Sequence, residues 1–216
     1  NPALGVRGLR TSVRFPGVLD DQLAAIAQAA AAEQATVWVM APMVATAHEA
    51  AEFVQRCAAA GLETAGVMVE VPGAAISAAH VLESARFASL GTNDLTQYTM
   101  GADRLLGELA ALNDPWQPAV LRLVQFTCTA GLERDRPVGV CGEAAADPAL
   151  ACVLVGLGVS SLSMTPRSIP DVADVLLATT YEQCVHLASL AVEAPGAAEA
   201  RAAVRAELPV LGELGL

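Results

Sequence analysis

The segment VGVCGEAAADP, residues 138–148, ends a short apolar run on a thiol, Cys141, followed directly by Gly142 and Glu143. A thiol with an ordinary pKa of about 8.5 is mostly protonated at neutral pH, so it can act as an acid as well as a nucleophile. The residue types alone leave both roles open. Two further apolar runs also end in carboxylates: VMVEVP ends in Glu70, and ASLGTND ends in Asn93 and Asp94. If the runs are neighbouring strands about 4.8 Å apart, Glu70 and Asp94 can share one cation. Mg²⁺ suits such a pair, because one or two carboxylates leave positions for water and substrate oxygens. The plainer alternatives are a solvated strand end for Glu70 and a helix N-cap for Asn93 or Asp94 after a turn at Gly91. Arg7 and Arg10 in LGVRGLR lie among glycines, and Arg104 closes GADR. Each is either an exposed base or a contact for a bound anion.

These residues need elements to place them. Val37–Met40, Gly66–Glu70, Phe87–Leu90, Val138–Cys141 and Ser161–Met164 read as five buried parallel strands, separated by helical patterns. That alternation predicts an α/β protein of repeated βα units. TAHE at 46–49 has capping-box spacing, and DPALACVLVGLG opens on an Asp N-cap with Pro at the first turn. Leu121, Val124 and Cys128 share a helical face, and the stretch from about 171 to 207 reads as two or three Ala-rich helices. In a parallel βα barrel function sits at the carboxyl ends of the strands, where these unusual tips fall. Five strands do not close an eight-stranded barrel, so two or three are expected before residue 37 or outside the chain.

Composition sets further bounds. The 216 residues are 54% apolar, enough for one core, and one domain is expected over 1–216. The first residue is Asn1, which reads as a piece of something longer. Net charge is −11 with twelve scattered basic residues, which argues against a nucleic acid partner. Leu150–Met164 is interrupted by glycines and serines and is too short to span a bilayer, so no membrane insertion is expected. The five cysteines form no CxxC pair, which suits a reducing cytoplasm. Cys57, Cys128, Cys152 and Cys184 fall in helical patterns as inert thiols. His48, His80 and His186 read as structural, and Trp38, Met40 and Met43 as core or barrel-mouth packing.

GVMVEVP, SLGTNDLTQYTMGADR and VGVCGEAAADP, in that order, together with NPALGVRGLR, VMAPM and LSMTPRSIP, resemble the phosphoenolpyruvate-binding domain of Enzyme I. This family is the phosphoenolpyruvate–protein phosphotransferases of the bacterial sugar phosphotransferase system. Pyruvate phosphate dikinase and phosphoenolpyruvate synthase carry related motifs; a fragment that only binds phosphoenolpyruvate or dimerises is the non-enzymatic alternative. The resemblance implies a (β/α)₈ TIM barrel, incomplete at its N-terminal side here. It implies Mg²⁺ on Glu70 and Asp94, and phosphoenolpyruvate on Arg7, Asn93, Asp94 and Arg104. It makes Cys141 the acid that protonates the enolate of pyruvate. It further implies a homodimer, a separate N-terminal phosphohistidine domain and a phosphocarrier protein as partners. Three departures stand out. An arginine-bearing strand that precedes NPALG in the family is expected to lie outside this chain. No GGxxSH-like segment occurs. Trp38 stands where Enzyme I often has Arg, so a phosphate contact there is absent or supplied elsewhere. The chain alone is accordingly expected to be incomplete for turnover.

Overall fold

The computed structural model of the chain describes residues 2–216; Asn1, the first residue of NPALGVRGLR, lies outside them. The chain opens with helices α1 (Thr11–Arg14) and α2 (Pro16–Ala32). Strands and helices then alternate: β1 (Val39–Ala41), α3 (Ala47–Ala59), β2 (Ala65–Val69), α4 (Pro72–Ile76), α5 (Ala78–Ser84), β3 (Ala88–Gly91) and α6 (Thr92–Met100). They continue with α7 (Pro118–Glu133), β4 (Val138–Cys141), α8 (Pro148–Gly156) and β5 (Ser161–Ser163). Four helices close the chain: α9 (Ile169–Leu177), α10 (Tyr181–Glu193), α11 (Ala197–Ala206) and α12 (Val210–Leu214).

The five strands pair in parallel in sequential order, β1-β2-β3-β4-β5. Right-handed crossovers between successive parallel strands put every connecting helix on one face of the sheet. A sheet wound in one direction is an arc of a barrel, and the expected α/β class and barrel type hold. The core lies between sheet and helices: Val67, Val69, Leu90, Val138 and Val140 pack against Phe53, Leu82, Leu121, Val124 and Leu150.

Local signals account for the helix starts. Thr46 Oγ1 accepts from the Glu49 N–H while the Glu49 carboxylate accepts from the Thr46 N–H, closing the expected capping box. Asp147 caps α8 through the N–H groups of Ala149 and Leu150, with Pro148 at the first turn. Leu121, Val124 and Cys128 are all buried on α7.

The strands differ from expectation in burial and, by one or two residues, in their bounds. β2 and β3 are buried except at Met68 and Ser89, but β4 and β5 are not buried on both faces: in β4, Val138 and Val140 are buried while Gly139 and Cys141 are half-buried, and in β5 Ser161 and Ser163 are exposed. The concave face is open because five strands form an arc. Trp38 and Met40 sit on that side and are not core residues; Trp38 is 54% exposed and rests against Phe87, ring centres 4.9 Å apart. Met43 alone of the three is buried. β1 also begins two residues later than expected and ends on Ala41. Among the described residues no single helix is long and apolar enough to cross a membrane.

Candidate active site

Every strand end named from the sequence falls on the same rim of the sheet, since parallel strands finish at one edge. Glu70 follows β2, Asn93 and Asp94 open α6 directly after β3, and Cys141 ends β4. Glu70 is 5% exposed, so the solvated strand end does not apply. Its Oε1 accepts from the Met43 N–H at 2.7 Å, and Met43 adopts a left-handed φ of 62° to make that contact. Its side chain crosses the end of β3 over Gly91, where a Cβ would come within 2.7 Å of Oε2. A glycine at the end of β3 therefore clears the path between the two carboxylates. Burial raises the pKa of Glu70, with the Met43 N–H opposing; the negative charge of Asp94 adds to the rise, and Arg7 and Arg104 lower it.

Asp94 is buried in the first turn of α6. It is not the N-cap, and neither is Asn93: Gly91 holds that position and no side chain caps the helix. Arg7 Nη2 lies 3.1 Å from Asp94 Oδ1 and Arg104 Nη1 3.8 Å from Oδ2. The Arg7 contact is an ion pair without hydrogen-bond alignment, so the buried Oδ1 has no aligned donor. Arg10 points elsewhere, donating to the Gly5 carbonyl at 3.4 Å.

Cys141 is half-buried, and its thiol donates to the Leu90 carbonyl at 3.4 Å. Gly142 turns the chain with φ 94°, a conformation that favours glycine. A Cβ there would press on Thr92 Oγ1 at 3.0 Å and Asn93 Oδ1 at 3.2 Å, so Asn93 stands against the thiol-bearing turn. A cleft of about 480 Å³ opens beside it, lined by Asn93, Gly142, Glu143, Ser163 and Thr165 among others. The other four cysteines are buried. Burial pushes Cys57 to about 11 and Cys128 and Cys152 to about 12, and raises Cys184. His48, His80 and His186 lie exposed on α3, α5 and α10, with His48 in the first turn of α3.

Supporting contacts here carry no sequence signal of their own. Thr92 Oγ1 donates to the Cys141 carbonyl at 3.1 Å, tying α6 to β4. Gln97 Oε1 accepts from the Arg104 N–H at 2.9 Å and so fixes the loop that carries that arginine. One pattern does point to them: Thr92, Asp94, Thr96 and Gln97 are polar yet buried on a single nine-residue helix. Buried polar groups need partners, so such a helix must face a polar site.

The donor set suits the cation that the resemblance implies. Two hard carboxylates converge, one oxygen is buried without an aligned donor, and a glycine clears space beside the other. Among the described residues no third His, Cys, Asp or Glu joins them.

Strand order and the location of this polar cluster place the chain in the class of parallel α/β barrel proteins whose ligands sit at the carboxyl ends of the strands. Its fold is similar to that of a citrate lyase from Burkholderia xenovorans LB400, with a TM-score of 0.55 and 17% identity over 91% of this chain and 69% of that one. Residues 1–181 match the family model described as PEP-utilising enzyme, PEP-binding domain, and the chain belongs to that family. The phosphoenolpyruvate-protein phosphotransferase of Streptomyces coelicolor is 52% identical over 96% of this chain and 38% of its own length. A multiphosphoryl transfer protein of Xanthomonas campestris pv. campestris is 42% identical over 94% of this chain and 25% of its own length. The phosphotransferase of Haloferax volcanii is 39% identical, again across 38% of its length. The chain thus spans about two fifths or less of these relatives.

Proposed function

We propose that residues 1–216 are the phosphoenolpyruvate-binding part of a phosphoenolpyruvate–protein phosphotransferase that drives sugar uptake in the cytoplasm. In this reading the chain is one barrel domain completed by preceding strands and works as a homodimer. The phosphoryl group passes to a histidine on a separate N-terminal domain and then to a phosphocarrier protein. The observation that carries the reading is the convergence of Arg7, Arg104, Glu70 and Asp94 on one rim with Cys141 on the adjacent strand end.

Arg7 and Arg104 supply the positive charge that a phosphate and a carboxylate require, and a guanidinium matches both in shape. Asn93, beside the Gly142 turn, orients the substrate, and Asp94 holds the two arginines toward it. Glu70 and Asp94 hold Mg²⁺. When bound there, the ion would supply positive charge against the phosphate and carboxylate of the substrate. Breaking the bond between phosphorus and the enol oxygen leaves the enolate of pyruvate. The Cys141 thiol then gives its proton to C3 of that enolate, so a C–H bond forms and the electron pair stays on sulfur as thiolate.

Calorimetric titration of phosphoenolpyruvate into this chain, with and without Mg²⁺, tests the reading. Binding should need Mg²⁺, and Glu70→Ala or Asp94→Ala should each abolish this Mg²⁺-dependent binding, because one remaining carboxylate holds Mg²⁺ weakly. Unchanged Mg²⁺ dependence in both variants would overturn the metal assignment.

A further inference from the structure

Behind Cys141 the chain turns at Gly142, makes a short 3-10 helix over Glu143–Ala146, and enters α8 through Asp147. Gly142 and Glu143 are exposed, and no side-chain hydrogen bond caps the short helix. Ala144 and Ala145 are buried, but their small side chains bring no directional contact. The downstream anchor of the loop is therefore Asp147.

All the partners of that carboxylate are neutral N–H groups. Oδ1 accepts from Ala149 at 3.0 Å and Leu150 at 3.1 Å, and Oδ2 accepts from the indole Nε1 of Trp116 at 2.9 Å. Trp116 is 0% exposed. Its backbone N–H donates to Asp114 Oδ1 at 3.0 Å. Both oxygens of Asp114 lie 3.0 Å from Arg201 Nη2, and the Arg201 guanidinium carbon stands 5.6 Å from the Trp116 ring centre. Arg201 belongs to α11, beyond the 181 residues that match the family model.

We propose that Arg201, Asp114 and Trp116 are positioning residues that brace the Cys141 loop through Asp147. Each link is directional. The carboxylate of Asp114 fixes the backbone at Trp116, and the Arg201 guanidinium locks that carboxylate from the helix side. The ring so placed aims its one N–H at Asp147, which is then held for both the α8 cap and the loop end. Without the brace, Asp147 keeps its cap contacts but loses its lateral tie, and residues 142–147 move more freely relative to β4. Substrate affinity is left nearly alone: Arg7, Glu70 and Asp94 sit on other elements, Arg104 shares the α6–α7 connection with Trp116 but is held there by Gln97, and Asn93 meets the loop only at Gly142. The catalytic consequence rests on the reading of Cys141 as proton donor; the mechanical one does not.

Two readouts on this chain test the brace: hydrogen exchange at the amides of 142–147, and the rate at which iodoacetamide alkylates Cys141, followed by peptide mass. The other four cysteines are buried and give little background. Trp116→Phe keeps the ring and removes the N–H; Arg201→Ala changes a partly exposed side chain; Arg201→Lys restores charge without the planar fork. Losing one ordinary hydrogen bond should speed local exchange and alkylation about fivefold in the first two variants. Lys should recover part of the effect, and phosphoenolpyruvate affinity should stay within about twofold of the parent. Unchanged exchange and alkylation in both variants overturns the brace, and so does acceleration spread evenly over β1–β3, which marks general destabilisation. In the full-length phosphotransferase, kcat should fall with KM held. A loop that loosens while kcat is unchanged supports the brace and removes the acid role from Cys141.

Discussion

Glu70 lies out of water at the end of β2, facing Asp94, and burial raises its pKa. The folded chain binds this proton more tightly than the unfolded chain does. The contribution of Glu70 to stability is therefore most favourable below the unfolded carboxylate pKa and falls as pH rises through the raised value. Glu70→Gln keeps an acceptor for the Met43 N–H and removes the buried charge. Without metal it should raise the thermal midpoint at neutral pH, with the gain shrinking as the solution is acidified; scanning calorimetry from about pH 8 to about pH 5 reads this. The same variant should lose stabilisation by Mg²⁺. Cys141→Ala in the full-length parent should leave substrate affinity intact, since an uncharged thiol adds little to holding a trianion. Turnover should drop about 10²–10⁴-fold, because the proton is needed only after the phosphoryl group has left. Steady-state kinetics and direct binding decide it: equal losses of affinity and rate would return Cys141 to a packing role. At this scale the reactive tips were legible, because packing alone seldom calls for a charged residue or a thiol at the end of an apolar run. Met43, Gly91 and Gln97 were not, because they act through a backbone N–H, a missing Cβ and a long-range contact, none of which a residue type announces.

Strands β1–β5 and the helix starts at Thr46 and Asp147 could be anticipated because runs of buried residues and caps are local signals. The half-open strand faces could not, since an apolar run reads the same whether one or both faces are covered. Trp38 shows the point: its type suggests a core, and its place on an open arc exposes it. The brace from Arg201 to Asp147 was equally silent, because it joins segments 87 residues apart at one link and 31 at another. Helix α8 carries a constraint of its own. A Cβ on Gly156 would stand 2.0 Å from the Cys184 carbonyl oxygen, so α8 and α10 touch backbone to backbone there. Gly156→Ala should force the helices apart and cost about 1–3 kcal/mol. Each kcal/mol should lower the thermal midpoint by about 2–4 °C. An unchanged midpoint would show that α10 shifts without loss.

For the molecule as a whole, a net charge of −11 is compatible with the proposed anion site because the cations are local: Arg7 and Arg104 converge on one rim. None of the three histidines, all exposed on helices, sits in a GGxxSH-like segment. The chain by itself should therefore pass no phosphoryl group from phosphoenolpyruvate to a phosphocarrier protein. Radiolabel appearing on the carrier with this chain alone would refute that; transfer restored by adding a phosphohistidine domain would support it.

The chain carries two tryptophans, and the fold puts them in opposite surroundings. Trp38 stands in solvent against Phe87 on the concave face of the sheet, while Trp116 is sealed in the interior with its N–H bound to Asp147. The two indoles should emit at separable wavelengths, the first red-shifted and quenched by acrylamide, the second blue-shifted and protected. Red-edge emission then reports whatever covers the sheet, and blue-edge emission reports the loop behind the thiol, so a single unlabelled sample reads two events independently.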